Sequence, residues 1–226
     1  MTIRRAMIFA AGRGTRMRPL TDTTPKPLLR VGRRMLIEHH LEKLAAIGVV
    51  DVVINTSHLA AQFPAALGDG ARWGLRIRYS DEGAPPLETG GGIKHALALL
   101  GDRPFIAVSA DIVSDYDYAR LPTEPKGRAH LVMVPNPDFH PRGDFSLDGT
   151  RLNEDDRGER LTFGNIGVYR PELIAHESAM RFKLLPIFQR TMRDDQLSGE
   201  RYDGFWCNIG TPQQLAELRD CRHPPL

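Results

Sequence analysis

The chain has 226 residues, of which 41% are hydrophobic and 26% charged, proportions that are ordinary for a soluble globular protein. This length suits one domain or two small ones, with a core large enough to need neither a disulfide nor a structural metal. The net charge of +2 argues against a general nucleic-acid binder, and no apolar run is long enough to span a membrane. Two isolated cysteines, Cys207 and Cys221, and an N-terminal apolar run too short for an export signal favour a cytoplasmic protein with free thiols.

Strands and helices alternate through the first half of the sequence, an arrangement typical of an α/β domain with a mostly parallel sheet. Apolar runs predict strands at 6–9, 49–55, 75–79 and 104–109, and periodic apolar residues predict helices at 35–47, 59–67 and 92–100. The second half is less regular, with predicted strands at 130–134, 161–169 and 202–209 and helices at 185–192 and 212–221. No internal repeat or linker interrupts this order, so we expect one domain over residues 1–226.

Positive charge is concentrated at the start of the chain. The first 34 residues carry nine arginine and lysine side chains against one carboxylate, Asp22. A basic segment on a neutral body favours a local site for a polyanion, although a solvated basic face would have the same composition.

A loop of small residues follows the first predicted strand, reading AAGRGTRMRPLT at 10–21 and PKPL at 25–28. Residues without bulk let the backbone wrap round phosphates and offer its N–H groups, while Arg16 and Lys26 add full charges. Met17 replaces the third glycine of a dinucleotide fingerprint, and the Gly-Lys-Ser/Thr of a P-loop is absent. A loop that only makes a tight turn is the alternative. It would not explain why Arg16, Thr21 and the Pro-Lys-Pro of 25–27 accompany the two glycines at these spacings.

This run resembles the signature AAGxGTRxxPLTxxxPKPL of sugar-nucleotide pyrophosphorylases, also called sugar-1-phosphate nucleotidyltransferases, and the resemblance extends to about residue 217. It implies a single-domain Rossmann-like fold with a nucleotide-binding half, about 1–115, and a sugar-phosphate-binding half, about 116–226. It also implies that Arg16 reaches the leaving pyrophosphate and that Lys26 binds the α-phosphate region. The other residues expected to hold the nucleoside triphosphate in this loop are Ala10, Ala11, Gly12, Gly14 and Thr15.

A second motif, LETGGGI at 87–93, follows Glu82. Glycines at the start of a helix allow close approach of a base or a sugar, and the resemblance places Glu82 and Gly90 near the base. The sequence of the motif most resembles that of the branch of the family that makes UDP-N-acetylmuramate from UTP and N-acetylmuramate 1-phosphate. A helix cap formed by Thr89 is an alternative role for this motif, and both roles are compatible.

Asp111 ends a strongly apolar predicted strand, where side chains face the ligand crevice of an α/β sheet. The resemblance implies that Asp111 binds Mg²⁺, the expected cofactor. Asn208 stands where the family often has a second metal-binding aspartate. Because an amide oxygen also ligates hard cations, we expect a weaker metal site rather than none.

Weaker motifs in the second half are similar to the same branch of the family. The resemblance assigns Lys183 to the sugar phosphate, and Asp144 and Asn165 to sugar hydroxyls or the N-acetyl group. Arg142 is the candidate partner of a lactyl carboxylate. Each of these residues taken alone is more often a solvated charge or part of a turn.

The implied reaction is attack of a sugar-phosphate oxygen on the α-phosphorus of UTP with loss of pyrophosphate, in the recycling of cell-wall sugars. A phosphate monoester is largely ionised at neutral pH, so this chemistry needs no general base. A mannose-1-phosphate guanylyltransferase is one alternative, because a carboxylate at Glu82 suits guanine. A non-catalytic sugar-nucleotide sensor is an alternative from another class, suggested by Asn208. We expect a monomer or small homo-oligomer that binds neither nucleic acid nor membrane.

Overall fold

The computed structural model describes residues 2–155 and 157–220. The strands in these ranges are β1 (Arg5–Phe9), β2 (Arg30–Val31), β3 (Arg34–Met35), β4 (Asp51–Thr56), β5 (Arg76–Asp81), β6 (Phe105–Ser109), β7 (Ile112–Ser114), β8 (Ala129–Val134), β9 (Phe145–Asp148), β10 (Arg151–Asn153), β11 (Glu159–Tyr169), β12 (Leu197–Arg201) and β13 (Trp206–Asn208). The α-helices are α1 (Leu20–Thr23), α2 (Leu36–Ala46), α3 (Gln62–Leu67), α4 (Glu88–Leu100), α5 (Leu185–Arg193) and α6 (Pro212–Asp220).

One nine-stranded sheet runs through both halves of the chain, in the order β5-β4-β1-β6-β11-β8-β12-β10-β9. Strands β5, β4, β1 and β6 are parallel to one another, as apolar runs buried on both faces predict. In the second half β8 and β12 are parallel, whereas β11 pairs antiparallel with β6, β8 and β9. The α/β class and the mixed sheet are confirmed, but parallel pairing dominates only the first half.

Helices cover both faces of the sheet. Successive residues of a strand point to opposite faces, so each strand contributes to two separate cores. Ala6 and Ile8 of β1 belong to a core that includes residues of α2 and α3, and Met7 belongs to a second core with residues of α4 and α5. With both faces covered, the carboxyl ends of the parallel strands are the edge at which a crevice can form.

A third, smaller core joins the two ends of the described chain. It contains Met17 and Leu36 from the first part of the chain and Ile209, Leu215 and Leu218 from the last. These contacts hold β13 and α6 against the loop that follows β1. Strand β13 also pairs antiparallel with β7, which fixes the last part of the chain beside the end of β6.

The elements predicted for the first half are all present, although the helix predicted at 92–100 begins earlier, at Glu88. The strand predicted at 202–209 is wrong over its first residues, because the chain leaves the main sheet at Arg201 and pairs with β7 only from Trp206. Strands β9, β10 and β12 are absent from the prediction, since they are short and lack a continuous apolar run.

Two expectations concern the ends and environment of the chain. The predicted last helix is present to Asp220, and Cys221 lies outside the described residues. Cys207 forms no disulfide within the described ranges, and burial raises the pKa of its thiol. Among the described helices, none combines the length and the hydropathy needed to cross a membrane.

Candidate active site

The loop after β1 is shaped by contacts among its own residues. Gly14 has a left-handed backbone with a φ of 62°, and a β-carbon there would lie 2.9 Å from the methyl carbon of Thr21 and 3.3 Å from Cβ of Lys26. Thr21 is buried, and its hydroxyl donates to the Gly14 carbonyl oxygen at 2.8 Å. Glycine is therefore required at this position to bring Thr21 and Lys26 against the loop.

Lys26 and Asp111 meet near the carboxyl ends of β1 and β6. Nζ of Lys26 lies 2.5 Å from Oδ2 of Asp111, and the two side chains are only 14% and 22% exposed. Both line the same cavity. The lysine and the aspartate that the sequence analysis selects separately thus form one charge pair, in reach of an anion and a cation respectively.

Asn208 lies beside Asp111 through the pairing of β13 with β7. It is opposite Ile112, and Ile209 N donates to the Asp111 carbonyl oxygen at 2.9 Å. Oδ1 of Asn208 is buried and has no hydrogen-bond partner among the described residues. An unpartnered buried oxygen is costly, and an amide oxygen is a donor that suits a hard cation.

Arg16 reaches the same place from the short 3-10 helix Thr15–Met17. Its guanidinium lies against the segment after Asn208, since a β-carbon at Gly210 would be 3.2 Å from its Nη2. Arg16 is an exposed residue. The structure therefore brings Arg16, Asp111 and the Asn208 segment together from distant parts of the sequence.

A chain of hydrogen bonds connects the small-residue loop with the second motif. Ala10 N donates to Oδ1 of Asn55 at 2.8 Å, and Nδ2 of Asn55 donates to Oε1 of Glu82 at 2.6 Å. Oε2 of Glu82 accepts from Leu87 N at 2.7 Å. Each carboxylate oxygen of Glu82 therefore already accepts a hydrogen bond from within the protein, and Asn55 is the link between the two motifs.

A cavity of about 300 Å³ opens at the carboxyl edge of the parallel strands. The residues on its wall that the sequence analysis assigns to the nucleotide or the metal are Ala10, Ala11, Gly12, Gly14, Lys26, Glu82 and Asp111. Four further predicted residues, Thr15, Arg16, Gly90 and Asn208, are not on this wall.

The same wall includes residues that the sequence analysis misses, notably Asn55, Thr89 and Ser109. Asn55 and Ser109 lie at the ends of the apolar strands β4 and β6. A polar residue that closes a buried parallel strand is the signal that identifies Asp111, and it could have identified these two.

A second cavity of about 240 Å³ adjoins the first, because Phe9, Thr89 and Ser109 line both. Asp144 and Asn165, which the sequence analysis assigns to the sugar, are on its wall. Aromatic side chains supply much of the remainder: Phe145, Phe163, Tyr169 and Phe188. Burial raises the pKa of Tyr169, which keeps its hydroxyl protonated.

Backbone geometry directs the two polar residues of the second cavity. Asn165 has a left-handed backbone with a φ of 54°, at the point where β11 changes register against β8. Such bulges re-aim a side chain. Oδ2 of Asp144 accepts from Phe163 N at 2.8 Å, and its Oδ1 lies 3.1 Å from Nε2 of His140.

Lys183 and Arg142 lie outside the walls of both cavities. Lys183 is exposed and adjoins Leu184, which lines the second cavity. Arg142 lines a separate surface cavity with His140 and Arg160, and this surface is connected to Asp144 through His140.

The glycines of the second motif serve a different purpose from the expected one. They lie buried in the first turn of α4, and a β-carbon at any of the three would overlap atoms of other segments of the chain. The close approach that they allow is made by the protein itself. Thr89 does not cap α4, because its hydroxyl instead accepts a hydrogen bond from Leu184 N at 3.2 Å.

Comparison with known sequences gives consistent matches. A family model for nucleotidyl transferases matches residues 5–138. An N-acetylmuramate alpha-1-phosphate uridylyltransferase of Neisseria meningitidis is 45% identical, over 95% of this chain and 96% of that protein. The protein with the same description from Caulobacter vibrioides is 37% identical, over 92% of each chain. A mannose-1-phosphate guanyltransferase of Aspergillus fumigatus is 32% identical over 93% of this chain but only 62% of its own length.

Comparison with solved structures identifies the fold. The inositol-1-phosphate CTP transferase from T. maritima superposes with a TM-score of 0.79, over 97% of this chain and 95% of that one. The two sequences are only 16% identical, so the match concerns the fold alone.

Proposed function

We propose that this chain, which belongs to the nucleotidyl transferase family, joins UTP to N-acetylmuramate 1-phosphate and releases pyrophosphate. The chain is a sugar-1-phosphate nucleotidyltransferase by its family and by its relatives. The observation that carries the proposal is the pair of adjoining cavities, with Lys26 and Asp111 in the first and Asp144 and Asn165 in the second. The proposal includes a role in the recycling of cell-wall sugars and a cytoplasmic location, where UTP is available.

The choice of UTP rests on the relatives and on Glu82. The relatives from Neisseria meningitidis and Caulobacter vibrioides, which match over nearly their full length, are described as uridylyltransferases of N-acetylmuramate 1-phosphate. Glu82 would suit the two donors of guanine, but its two oxygens already hold Asn55 and Leu87. This arrangement favours uridylyl transfer over the guanylyl alternative.

In the proposed reaction an oxygen of the sugar phosphate attacks the α-phosphorus in line, and pyrophosphate departs on the opposite side. The nucleophile is already ionised, so the protein's task is to bring two polyanions together and stabilise charge on the leaving group. Lys26 is the cation for the α-phosphate, and Arg16 is the cation for the pyrophosphate. Asp144 and Asn165 orient the sugar, and Lys183 receives its phosphate at the border of the second cavity.

The proposed Mg²⁺ ligands are Asp111, on the wall of the first cavity, and Asn208, on the strand that pairs with β7. The carboxylate of Asp111 and the unpartnered Oδ1 of Asn208 are oxygen donors on paired segments, and both would hold the ion. When bound, Mg²⁺ would neutralise negative charge on the triphosphate. Within the described ranges no three carboxylate, imidazole or thiol side chains are grouped to hold a metal, so the triphosphate is expected to supply further ligands.

The alternative of a non-catalytic sensor rests on the loss of one carboxylate at Asn208. The family match and the two uridylyltransferase relatives favour an enzyme. The neutral amide still offers an oxygen to the metal, so we infer a weaker metal site and not an inactive one.

The proposal is tested by a matrix of four nucleoside triphosphates against a panel of sugar 1-phosphates with Mg²⁺, read by pyrophosphate release. We expect the highest kcat/KM for UTP with N-acetylmuramate 1-phosphate. A Lys26→Met protein serves as the inactive control, and Lys126→Met, which removes an exposed lysine, serves as the active one. The highest kcat/KM for GTP with mannose 1-phosphate would contradict the uridylyl assignment.

A further inference from the structure

The segment between the 3-10 helix Pro171–Leu173 and α5 lies across the first turn of α4. Its residues 177–183, the strap, lead into the wall of the second cavity at Leu184 and end with Lys183. The Phe182 carbonyl oxygen accepts from Gly90 N at 3.0 Å and from Gly91 N at 3.1 Å. Phe182 N donates in return to the Leu87 carbonyl oxygen at 3.3 Å. The first turn of α4 is therefore the surface on which the strap rests.

The glycines of that turn are fitted to two different neighbours. A β-carbon at Gly90 would overlap the Phe182 ring, and one at Gly91 would overlap the Met180 carbonyl. A β-carbon at Gly92 would instead lie 2.9 Å from Nδ2 of Asn55 and would overlap the Glu82 carboxylate. The lack of a side chain at Gly90 and Gly91 thus leaves room for the strap. The lack of one at Gly92 leaves room for the hydrogen-bonded pair of Asn55 and Glu82, which line the first cavity.

Lys94, one turn further along α4, fastens the strap. Its ammonium donates to the carbonyl oxygens of Ser178 and Ala179, both at 3.1 Å, and to that of Glu177. An ammonium has three N–H donors, so these three carbonyls account for all of them. Arg190 of α5 also donates to the Glu177 carboxylate, which attaches the strap to a second helix.

We propose that Lys94 is a positioning residue for the sugar phosphate, a role that rests on the proposed function and on the assignment of Lys183 to that phosphate. Lys94 fixes the start of the strap, the glycine turn fixes its end, and Lys183 is thereby held at the border of the second cavity. Thr89 lines both cavities and accepts from Leu184 N, so the same turn fixes the wall that the two substrates share.

The proposal predicts that loss of Lys94 weakens the binding of the sugar 1-phosphate and not that of UTP. Lys94 lines neither cavity. The strap leads into the wall of the second cavity at Leu184, and among the described residues it meets the first only through the exposed ion pair of Arg181 with Glu88, at 3.6 Å. Lys94→Met should therefore raise the KM for the sugar 1-phosphate by about 10- to 100-fold, the size of effect that misplacing a binding group produces. The KM for UTP should stay within about twofold, because the first cavity would lose at most one exposed ion pair, a contact of little energy.

Three controls accompany this variant. Lys126→Met removes an exposed lysine of the same kind and should change neither KM. Lys94→Arg keeps the charge and several donors, so it should recover most of the affinity for the sugar 1-phosphate. Hydrogen exchange should show faster exchange at Phe182 N in Lys94→Met, while the later turns of α4 exchange as in the wild type.

A matched glycine pair tests the same division without touching a charge. Alanine favours a helix, so the variants Gly91→Ala and Gly92→Ala are expected to fold. Gly91→Ala displaces the strap and should raise the KM for the sugar 1-phosphate. Gly92→Ala displaces the link from Asn55 to Glu82 and should raise the KM for UTP instead.

The outcomes separate this inference from the proposed function. If the wild type transfers uridylyl groups but Lys94→Met raises both KM values equally, or neither, the positioning role is wrong and the function stands. The same conclusion follows if Gly91→Ala and Gly92→Ala affect the same substrate. If the wild type transfers no nucleotide to any sugar 1-phosphate, the proposed function fails and the positioning role fails with it.

Discussion

The charge pair of Lys26 and Asp111 is the central contact of the site at the scale of single residues. Each group stabilises the other while both are held at the end of the sheet. A triphosphate with its metal offers each a stronger partner, the anion for the lysine and the cation for the carboxylate. The pair is therefore charge-balanced by itself, and a metal–triphosphate complex would give each member a new partner of opposite charge.

Arg16 gives the first prediction at this scale. If it stabilises the departing pyrophosphate, Arg16→Ala should lower kcat by about 10²–10³-fold, as the loss of one preorganised donor does. The fold should persist, since the side chain is exposed. Steady-state kinetics check the effect against Arg18→Ala, a nearby arginine paired with Asp22 at 3.0 Å. Near-normal turnover of Arg16→Ala would show that this arginine belongs only to the basic surface.

Asn208 gives the second prediction at the scale of single residues. Mg²⁺ prefers anionic oxygen, so Asn208→Asp should lower the Mg²⁺ concentration that gives half-maximal rate, by adding a full charge in nearly the same volume. The measurement is a Mg²⁺ titration at saturating substrates, with Asn153→Asp on strand β10 as a control that adds the same charge away from both cavities. A midpoint that does not move would mean that Asn208 is no ligand. If Asn208→Asp were active and the wild type inactive at every Mg²⁺ concentration, the wild-type protein would be a non-catalytic sensor of a sugar nucleotide.

At the scale of elements, the ends of β1 and β4 and the start of α4 are tied together through Asn55 and Glu82. Asn55→Ala leaves Ala10 N and a mostly enclosed carboxylate without their partner, which costs about 1–3 kcal/mol of stability. We also expect a higher KM for UTP, because the loop at Ala10 loses its anchor. Denaturant unfolding and kinetics check both effects, with the exposed amide of Gln213→Ala as control. An unchanged KM for UTP would reduce Asn55 to a role in stability.

The elements also show what the sequence could predict and what it could not. Apolar runs are local signals, so β1, β4 and β6 are predicted, and so is Asp111, which lies two residues after the end of β6. The link from Asn55 to Glu82 joins residues 27 positions apart, and that from Thr89 to Leu184 joins residues 95 apart. Neither contact produces a periodic pattern in the sequence, because each depends on how the sheet brings separate loops together. The glycines after Thr89 are predicted as a special turn, but their neighbour, the strap, is not.

At the scale of the whole molecule, the helical layers enclose groups that respond to pH. His39 and His40 of α2 are buried side by side, with ring centroids 3.8 Å apart, and neither Nε2 has a partner among the described residues. Burial, with nearby Lys43 adding to it, lowers the pKa of His39 from 6.5 to about 4 and that of His40 well below 6.5. His40 is also hydrogen-bonded to Tyr118 at 2.6 Å. Both imidazoles are therefore neutral in the folded protein.

The sign of the resulting pH dependence follows from where protons bind. Between about pH 6.5 and about pH 4 the unfolded chain binds protons on these histidines and the folded chain does not, so stability falls as the pH is lowered. Each such proton contributes about 1.4 kcal/mol per pH unit. Thermal unfolding from about pH 7.5 to about pH 5.5, above the carboxylate range, should show a steeper loss of Tm in the wild type than in His39→Gln. The exposed His176→Gln is the control, and equal slopes in all three proteins would contradict the account.

The central claim, that the two cavities bind UTP and N-acetylmuramate 1-phosphate for direct transfer, is tested most directly by competition in one tube. Equal concentrations of UTP, GTP, ATP and dTTP are mixed with equal N-acetylmuramate 1-phosphate and mannose 1-phosphate, Mg²⁺ and the protein. Mass spectrometry then counts the nucleotide sugars at early times, and their ratios equal the ratios of kcat/KM. The account predicts that UDP-N-acetylmuramate is the dominant product. A mixture dominated by GDP-mannose, or one without any nucleotide sugar, would contradict it.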